Sequence, residues 1–497
     1  MVRVAVWLLC TLGLAADIRE QGPRDAAPSG LLAGVAKADI TPPRGIIQQN
    51  WGSQTHLATT GNDPIGMRVQ ALALSDGRQK FVIAELDALS VAGLDGAIAR
   101  AAERTGIPRH HLRVSASHTH SGPSLQPNRG PVGADLEPYR RPVEEYRRLV
   151  ADRLVQVIEE AGASLRPVHV HAGRGQGSIN MNRRFRAEGG RPSAVGLNPG
   201  GFVDRELLVV RIDDAEGRPY AALFNFACHG TVLGYENQHA SPDWIGAARR
   251  TVEEALPGAT ALFLQGAAGN LGPKEGFTGD LAVSHRLGSI LGHEAAAIAV
   301  SVDTVAREPR LEGFVESTAV QAKQPWRVAG PRDAALRQLR RVFDVPARTY
   351  SAAEMEEMRR LVEEARVKAE AAASGGDPWT KHQAEARHRR LADLLAKWRQ
   401  VKDPDPVRVE VRVLRIGGIA IVSMPGEPFA EIGAAIKEDS PFAFTLFTAY
   451  ADGPGGGYMP VAAEYRYGGY EVQMTPYGEG AAAKLVQETA AMLRELR

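Results

Sequence analysis

Residues 205–230, RELLVVRIDDAEGRPYAALFNFACHG, hold two apolar runs rich in β-branched and aromatic residues on either side of a polar DAEGRP. Both read as strands. Similar short runs recur outward from this stretch, at 80-KFVIAELDALS-90, 111-HLRVSASH-118, 169-HVHAGR-174 and 260-TALFLQGAAG-269. They alternate with helical-period segments such as 137-EPYRRPVEEYRRLVADRLVQVIEEAG-162. From Leu31 to about Ala306 this alternation predicts an α/β domain, a layered mixed sheet with flanking helices. Residues 333 to 401 differ. DAALRQLRRVF, SAAEMEEMRRLVEEARVKAEAAA and WTKHQAEARHRRLADLLAKWRQ are dense in Ala, Leu, Glu and Arg, with SGGDP as a break at 374–378. They predict an inserted helical hairpin with a largely solvated, charged surface. Strand-like runs resume at 407-VRVEVRVLRIGGIAIVSMPGE-427, and AAAKLVQETAAMLRELR reads as a closing helix.

Bulk composition limits the function. In 497 residues, 59 Lys and Arg balance 58 Asp and Glu for a net charge of +1. No global basic field draws in nucleic acid or an anionic membrane, so partners are recognised locally. The opening MVRVAVWLLCTLGLAAD has basic Arg3, an apolar run from Val4 to Leu14 and small residues Ala15 and Ala16. It predicts a signal peptide over residues 1–16 and a secreted or periplasmic chain with no transmembrane segment once that peptide is removed. Residues 31–497 are then expected to form one domain, and Cys228 is the only thiol left, so core burial and a metal replace disulfides as sources of stability.

Four short stretches carry candidate chemistry. In 114-VSASHTHSGPS-124, His118 and His120 are one residue apart, which on a strand puts both imidazoles on one face. Alone this spacing is a weak metal signal. In 224-FNFACHGTVLG-234, His229 ends a strand where the chain turns, a position suited to lining a cleft. Downstream, Asp243 is expected to cap or precede a helix, and the GAAGN of 266–270 to let backbone approach a ligand or another strand closely. GAAGNLG has neither the Lys and Ser/Thr of a P-loop nor dinucleotide spacing. In 421-IVSMPGEPFAEIG-433, Glu427 sits at a strand-to-helix junction as a candidate ligand or base. Five tyrosines fill the Gly-rich 448-TAYADGPGGGYMPVAAEYRYGGYE-471.

The order of DITPP, DPIGMRVQAL, SHTHSGP, INMNRR, NFACHGT, SPDWIGAARR, FLQGAAGN, PGEPFAEIG and GYMPVAAEY followed by GGYE resembles the catalytic domain of the neutral/alkaline non-lysosomal ceramidase family. The resemblance implies one Zn²⁺ held by His118, His229, Glu427 and Tyr458, a donor set of imidazole, carboxylate and phenol oxygen that suits zinc. It places His120 beside the metal as a catalytic or substrate-contacting residue. Arg183 and Tyr470 fall where they donate to a carbonyl oxygen as it becomes an oxyanion. The implied reaction is amide (N-acyl) hydrolysis by zinc-activated water on a small-molecule or lipid-like acylated substrate of sphingolipid type. Two departures stand out. Where the family has a serine before proline, this chain has Gly272, which argues against ceramide itself; an ester, an N-acyl amino sugar or a non-catalytic binding role are the alternatives. The family's C-terminal Ig-like β-sandwich is also not expected, because the sequence runs only from Val472 to Arg497 after GGYE.

Overall fold

The computed structural model describes residues 30–48, 56–126, 135–186, 192–330, 332–375 and 377–497. The expected signal peptide lies outside the described residues. Eight strands form the larger sheet: β1 (Leu32–Asp39), β2 (Arg68–Ser75), β3 (Lys80–Leu86), β4 (Leu112–Ala116), β5 (Arg166–Gln176), β6 (Glu206–Asp214), β7 (Pro219–Phe226) and β8 (Thr260–Gln265). Their spatial order is β8-β7-β6-β5-β1-β2-β3-β4. A four-stranded sheet follows in sequence order: β9 (Leu336–Val345), β10 (Val407–Ile416), β11 (Ile419–Ser423) and β12 (Phe444–Thr448). Pairing is antiparallel except for β3–β4, β7–β8 and β11–β12, which run parallel.

The period-2 alternation of the strands determines the layering. On β2 and β3, Val69, Ala71, Ala73, Val82, Ala84 and Leu86 face one way and pack on helices α1 (Asp95–Thr105) and α2 (Glu137–Ala163). On the same side, β6 to β8 send Leu207, Val209, Phe224 and Phe263 toward α3 (Trp244–Ala255) and α4 (Leu281–Ser301). The intervening residues, among them Leu72, Leu74, Phe81, Ile83, Leu208, Val210 and Leu264, face the other way. They meet Leu414, Ile416, Ile419, Ile421 and Leu446 of the small sheet in a sheet-on-sheet core. Helices α7 (Ala430–Glu438) and α8 (Ala481–Leu496) cover the outer face of that small sheet. The result is four layers, helix, sheet, sheet, helix. This is the layered mixed sheet with flanking helices that the alternation predicts, with the second sheet as an addition.

The inserted hairpin is α5 (Ala352–Ala373) and α6 (Pro378–Gln400), two helices between β9 and β10. Met358, Ala365, Leu391, Leu394, Leu395 and Trp398 form its own core, and Tyr350 stacks on Trp398. The Ser351/Glu354 capping box starts α5. Residues 336–345, expected to belong to this helical region, form β9 instead. Their Leu/Arg composition favours helix, but ten consecutive pairs with β10, Leu336↔Ile416 to Val345↔Val407, override that propensity.

Buried charge anchors the end of β3. Arg249 on α3 lies 2.8 Å from Glu85 and 2.5 Å from Asp87, all three fully buried, and Gln70 donates to Glu85. Asp87 begins the turn whose Ala88 and Leu89 carbonyls hold His118. Arg249→Met leaves two carboxylates buried without their cation, and we expect a loss of about 3–5 kcal/mol of stability in chemical denaturation. A loss below about 1 kcal/mol, the range of exposed pairs, would contradict the buried network.

Candidate metal centre

The three parallel pairs all run out toward one place. Chain leaving β4 carries His118 and His120, chain leaving β7 carries His229, and chain leaving β11 carries Glu427. Backbone hydrogen bonds stitch these exits together: Ala449 N to Gln265 O, Ala116 N to Tyr450 O and Met424 N to Thr448 O. His118 does not share a strand face with His120, because β4 stops at Ala116 and His118 takes a left-handed φ of 63°. That turn brings the rings together instead, 4.7 Å apart and edge to face. Gly230 is required beside it, since a Cβ there would sit 2.9 Å from both His118 O and Thr119 Cα.

Second partners orient each donor. His118 Nδ1 lies 2.6 Å from Leu89 O. His229 Nδ1 lies 2.7 Å from Ala268 O and 3.1 Å from Leu271 O. A carbonyl only accepts, so both Nδ1 atoms carry the proton and both Nε2 atoms present lone pairs. Asp243, the cap of α3, accepts from Trp244 N, Val232 N and Leu233 N, and Trp244 Nε1 donates to His229 O, so the loop after β7 is fixed from behind. Glu427 pairs in register with Tyr458, and Gly269 of the GAAGN loop donates its N–H to Pro428 O. A Cβ on Gly269 would lie 2.4 Å from Glu427 O, so the expected close backbone approach is to this strand.

These supports converge three acceptors. Glu427 Oε2 lies 3.3 Å from His229 Nε2 and 3.5 Å from His118 Nε2. Both His229 Nε2 and Glu427 Oε2 are buried and without a hydrogen-bond partner. His120 Nε2 lies 3.1 Å from His118 Nε2, and ligand atoms of the three histidines fall within 4.8 Å of one another. Buried acceptors facing each other without a donor are costly, and a divalent cation removes that cost, so the donor set fits a metal ion. Burial pushes His229 down to about 3, with Arg183 adding to the effect, and lowers His120 well below the ordinary 6.5, so both rings are neutral.

Arg183 and the tyrosines border this cluster. Arg183 Nε donates to Glu471 at 3.0 Å and its Nη2 to the Tyr458 hydroxyl at 3.0 Å, while Nη1 is buried without a partner. Burial works against its charge, but Tyr458, Glu471 and Glu427 together raise its pKa, so it stays cationic. The Tyr470 ring is 5.5 Å from that of Tyr458, edge to face. All seven residues singled out in the sequence therefore lie in one region, with Tyr470 one ring away from the cluster.

Residues 32–279 match the family described as neutral/alkaline non-lysosomal ceramidase, N-terminal. Over that stretch the chain belongs to this ceramidase family. The match takes in His118, His120, Arg183, His229 and Gly272; Glu427, Tyr458 and Tyr470 lie beyond it. The neutral ceramidase of Pseudomonas aeruginosa is 29% identical over 252 residues, 48% of this chain and 36% of that protein. Neutral ceramidase A of Dictyostelium discoideum is 29% identical over 154 residues, 31% of this chain and 21% of that protein. The matched stretches thus span well under half the length of these relatives. In three dimensions, the crystal structure of neutral ceramidase from Pseudomonas aeruginosa superposes with a TM-score of 0.64 at 21% identity, over 95% of this chain and 75% of that one. The fold is therefore that of the neutral ceramidases.

Several site residues escaped the sequence reading. The Tyr450 ring lies 4.1 Å from that of His118, with its hydroxyl buried and unpartnered. Glu471 bridges Arg183 and the fully buried Arg184. At Gly272, where the ceramidase family resemblance places a serine, a Cβ would meet Arg183 at 3.6 Å and Thr231 Oγ1 at 4.0 Å, ordinary contacts. The Thr231 hydroxyl is itself buried without a partner. A hydroxyl therefore does stand next to the position that lacks one, supplied from the loop after β7.

Two outcomes follow from this geometry. Gly272→Ser should fold with stability within about 1 kcal/mol of the parent, because the strand position has room and serine restricts the unfolded chain; a loss above about 3 kcal/mol, the scale of overpacking, would show that the space is not there. In the metal-stripped chain, the neutral His229 stabilises the fold fully above pH 6.5, and that contribution is lost as pH falls toward 3, where only the unfolded ring has gained its proton. The acid slope of urea-measured stability should therefore exceed that of His229→Gln by up to about 1.4 kcal/mol per pH unit. Parallel slopes would refute a neutral buried ring.

Proposed function

We propose that this chain is an exported zinc-dependent hydrolase of the ceramidase superfamily that cleaves an amide (N-acyl) bond. The observation that carries the reading is the convergence of His118 Nε2, His229 Nε2 and Glu427 Oε2, three buried acceptors held from behind. These three, with the Tyr458 oxygen, would hold Zn²⁺. Bound there, the ion polarises an acyl carbonyl and brings the pKa of a water toward neutral. Residues 31–497 act as one catalytic domain in this reading, with the helices of 352–400 inserted. Export rests on residues 1–16; no helix of the described residues is long and apolar enough to cross a membrane.

The chain's own groups divide the remaining work. His120 Nε2, 3.1 Å from the His118 lone pair, is the donor of that contact; with the lone pair committed to a metal, His120 would carry its proton on Nδ1 and present Nε2 as the base. His120 is neutral, so it takes a proton from the attacking water and returns it to the leaving amine. Arg183 Nη1, charged and otherwise unpartnered, is placed to bind the carbonyl oxygen as negative charge develops, while Glu471 and Tyr458 fix the guanidinium. Tyr470 donates at the rim of the same oxygen site. The acylated substrate is lipid-like by analogy with the ceramidases. Gly272 favours an amide other than ceramide and supports, as a second reading, a homologue that binds without turnover.

The purified chain should hold about one zinc ion, and His118→Ala/His229→Ala should reduce this to background. His120→Ala should keep the zinc and lower kcat on N-acyl substrates by about 10²–10⁴-fold. Metal loss in His120→Ala would make that ring a ligand; full zinc with no turnover on any acylated substrate would favour the binding reading.

A further inference from the structure

The inserted hairpin is not confined to a solvated surface. Arg390 on α6 lies with its guanidinium carbon 5.5 Å from the centre of the Tyr470 ring. That ring packs edge to face on Tyr458, which is hydrogen-bonded to Arg183. The insert therefore reaches the rim of the metal centre through a single aromatic ring. At the hairpin's base, Arg348 lies over the Tyr465 ring and donates its backbone N–H to the Pro476 carbonyl, which fixes the insert against the same tyrosine-bearing loop.

Arg390 differs from its neighbours on the insert. Arg359, Arg360 and Arg366 pair with glutamates one turn away on exposed faces, and Arg389 faces Glu385. Among the described residues no carboxylate pairs with Arg390, and its Nη1 is buried without a hydrogen-bond partner. Burial is the largest effect and works against its cationic form, as does the like charge of Arg387, while Tyr470 favours the cation. Arginine resists deprotonation, and its planar fork matches compact anions such as carboxylate or phosphate. A partly buried guanidinium that stacks on a ring at the rim of the candidate site, with its Nη1 donor buried and to spare, suits an anion.

Resting on the hydrolase reading, we infer that α6 supplies an anion subsite at the rim of the metal centre, with Arg390 as its cation, and that the substrate amide carries a negatively charged group. In a lipid-like acylated substrate the acyl chain is apolar, so that charge sits on the amine side. The substrate class is an N-acylated amino acid or similar anionic amine, rather than an uncharged sphingoid base.

The test offers the zinc-supplemented full chain two amides that differ in head-group charge, N-lauroylglycine and N-lauroylethanolamine. KM for the glycine conjugate should be about tenfold lower, the scale of one charge-assisted hydrogen bond. Arg390→Met should bring the two KM values together, and Arg390→Lys should restore part of the difference, since charge returns without the planar fork. Arg389→Met, on the exposed face of the same helix, should keep the parental ratio. Equal KM values in the parent chain, or a ratio unmoved by Arg390→Met, overturn the subsite. Where neither amide is cleaved the hydrolase reading has failed, and calorimetric binding of the same two amides then reads the ratio and decides the subsite independently.

Discussion

Two imidazole lone pairs and a carboxylate oxygen point at one another in the interior of this protein, and such an arrangement is repulsive until a cation lies among them. Much of the surrounding structure serves to hold it. The carbonyls of Leu89, Ala268 and Leu271 fix the histidine tautomers. Asp243 and Trp244 brace the loop that bears His229, and the Asp87–Arg249 pair braces the turn that receives His118. The left-handed backbone at His118 belongs to the same set, a local strain retained at the site that uses it.

The four-layer architecture explains how residues 118, 229 and 427 meet. Each sheet is mostly antiparallel, but its parallel pairs direct consecutive strand exits to the same end, where loops from both sheets are joined by backbone hydrogen bonds. Packing the small sheet on the large one places the Glu427 exit opposite the histidine exits. The glycines at 230 and 269 permit the final approach, with no side chain between neighbouring backbones.

β3 to β8 of the large sheet were legible because their apolar runs are short, β-rich and bounded by turns, whereas β1 and β2 were not read as strands. β9 was not, because its Leu/Arg pattern is helix-favouring and only its partner strand, some sixty residues away, decides otherwise. His118, His229, Glu427 and Tyr458 were legible through ordered motifs rather than through spacing. The predicted shared strand face of His118 and His120 fails because a positive φ cannot be read from SHTH. Tyr450 and Glu471 lay inside a quoted stretch, but nothing local separates them from Tyr465 or Tyr467, since their roles depend on contacts hundreds of residues away. Thr231 was hidden for a related reason: its importance depends on the glycine that faces it across the site.

The central claim is that His118, His229 and Glu427 form one cation site of nitrogen and oxygen donors. X-ray absorption at the zinc edge of the metal-loaded chain tests it most directly. The account predicts a shell of about four nitrogen and oxygen ligands near 2.0–2.1 Å, with the outer scattering of two imidazoles and no sulfur. A sulfur ligand near 2.3 Å, which would bring in Cys228, or a shell of oxygen alone without imidazole scattering, would contradict it.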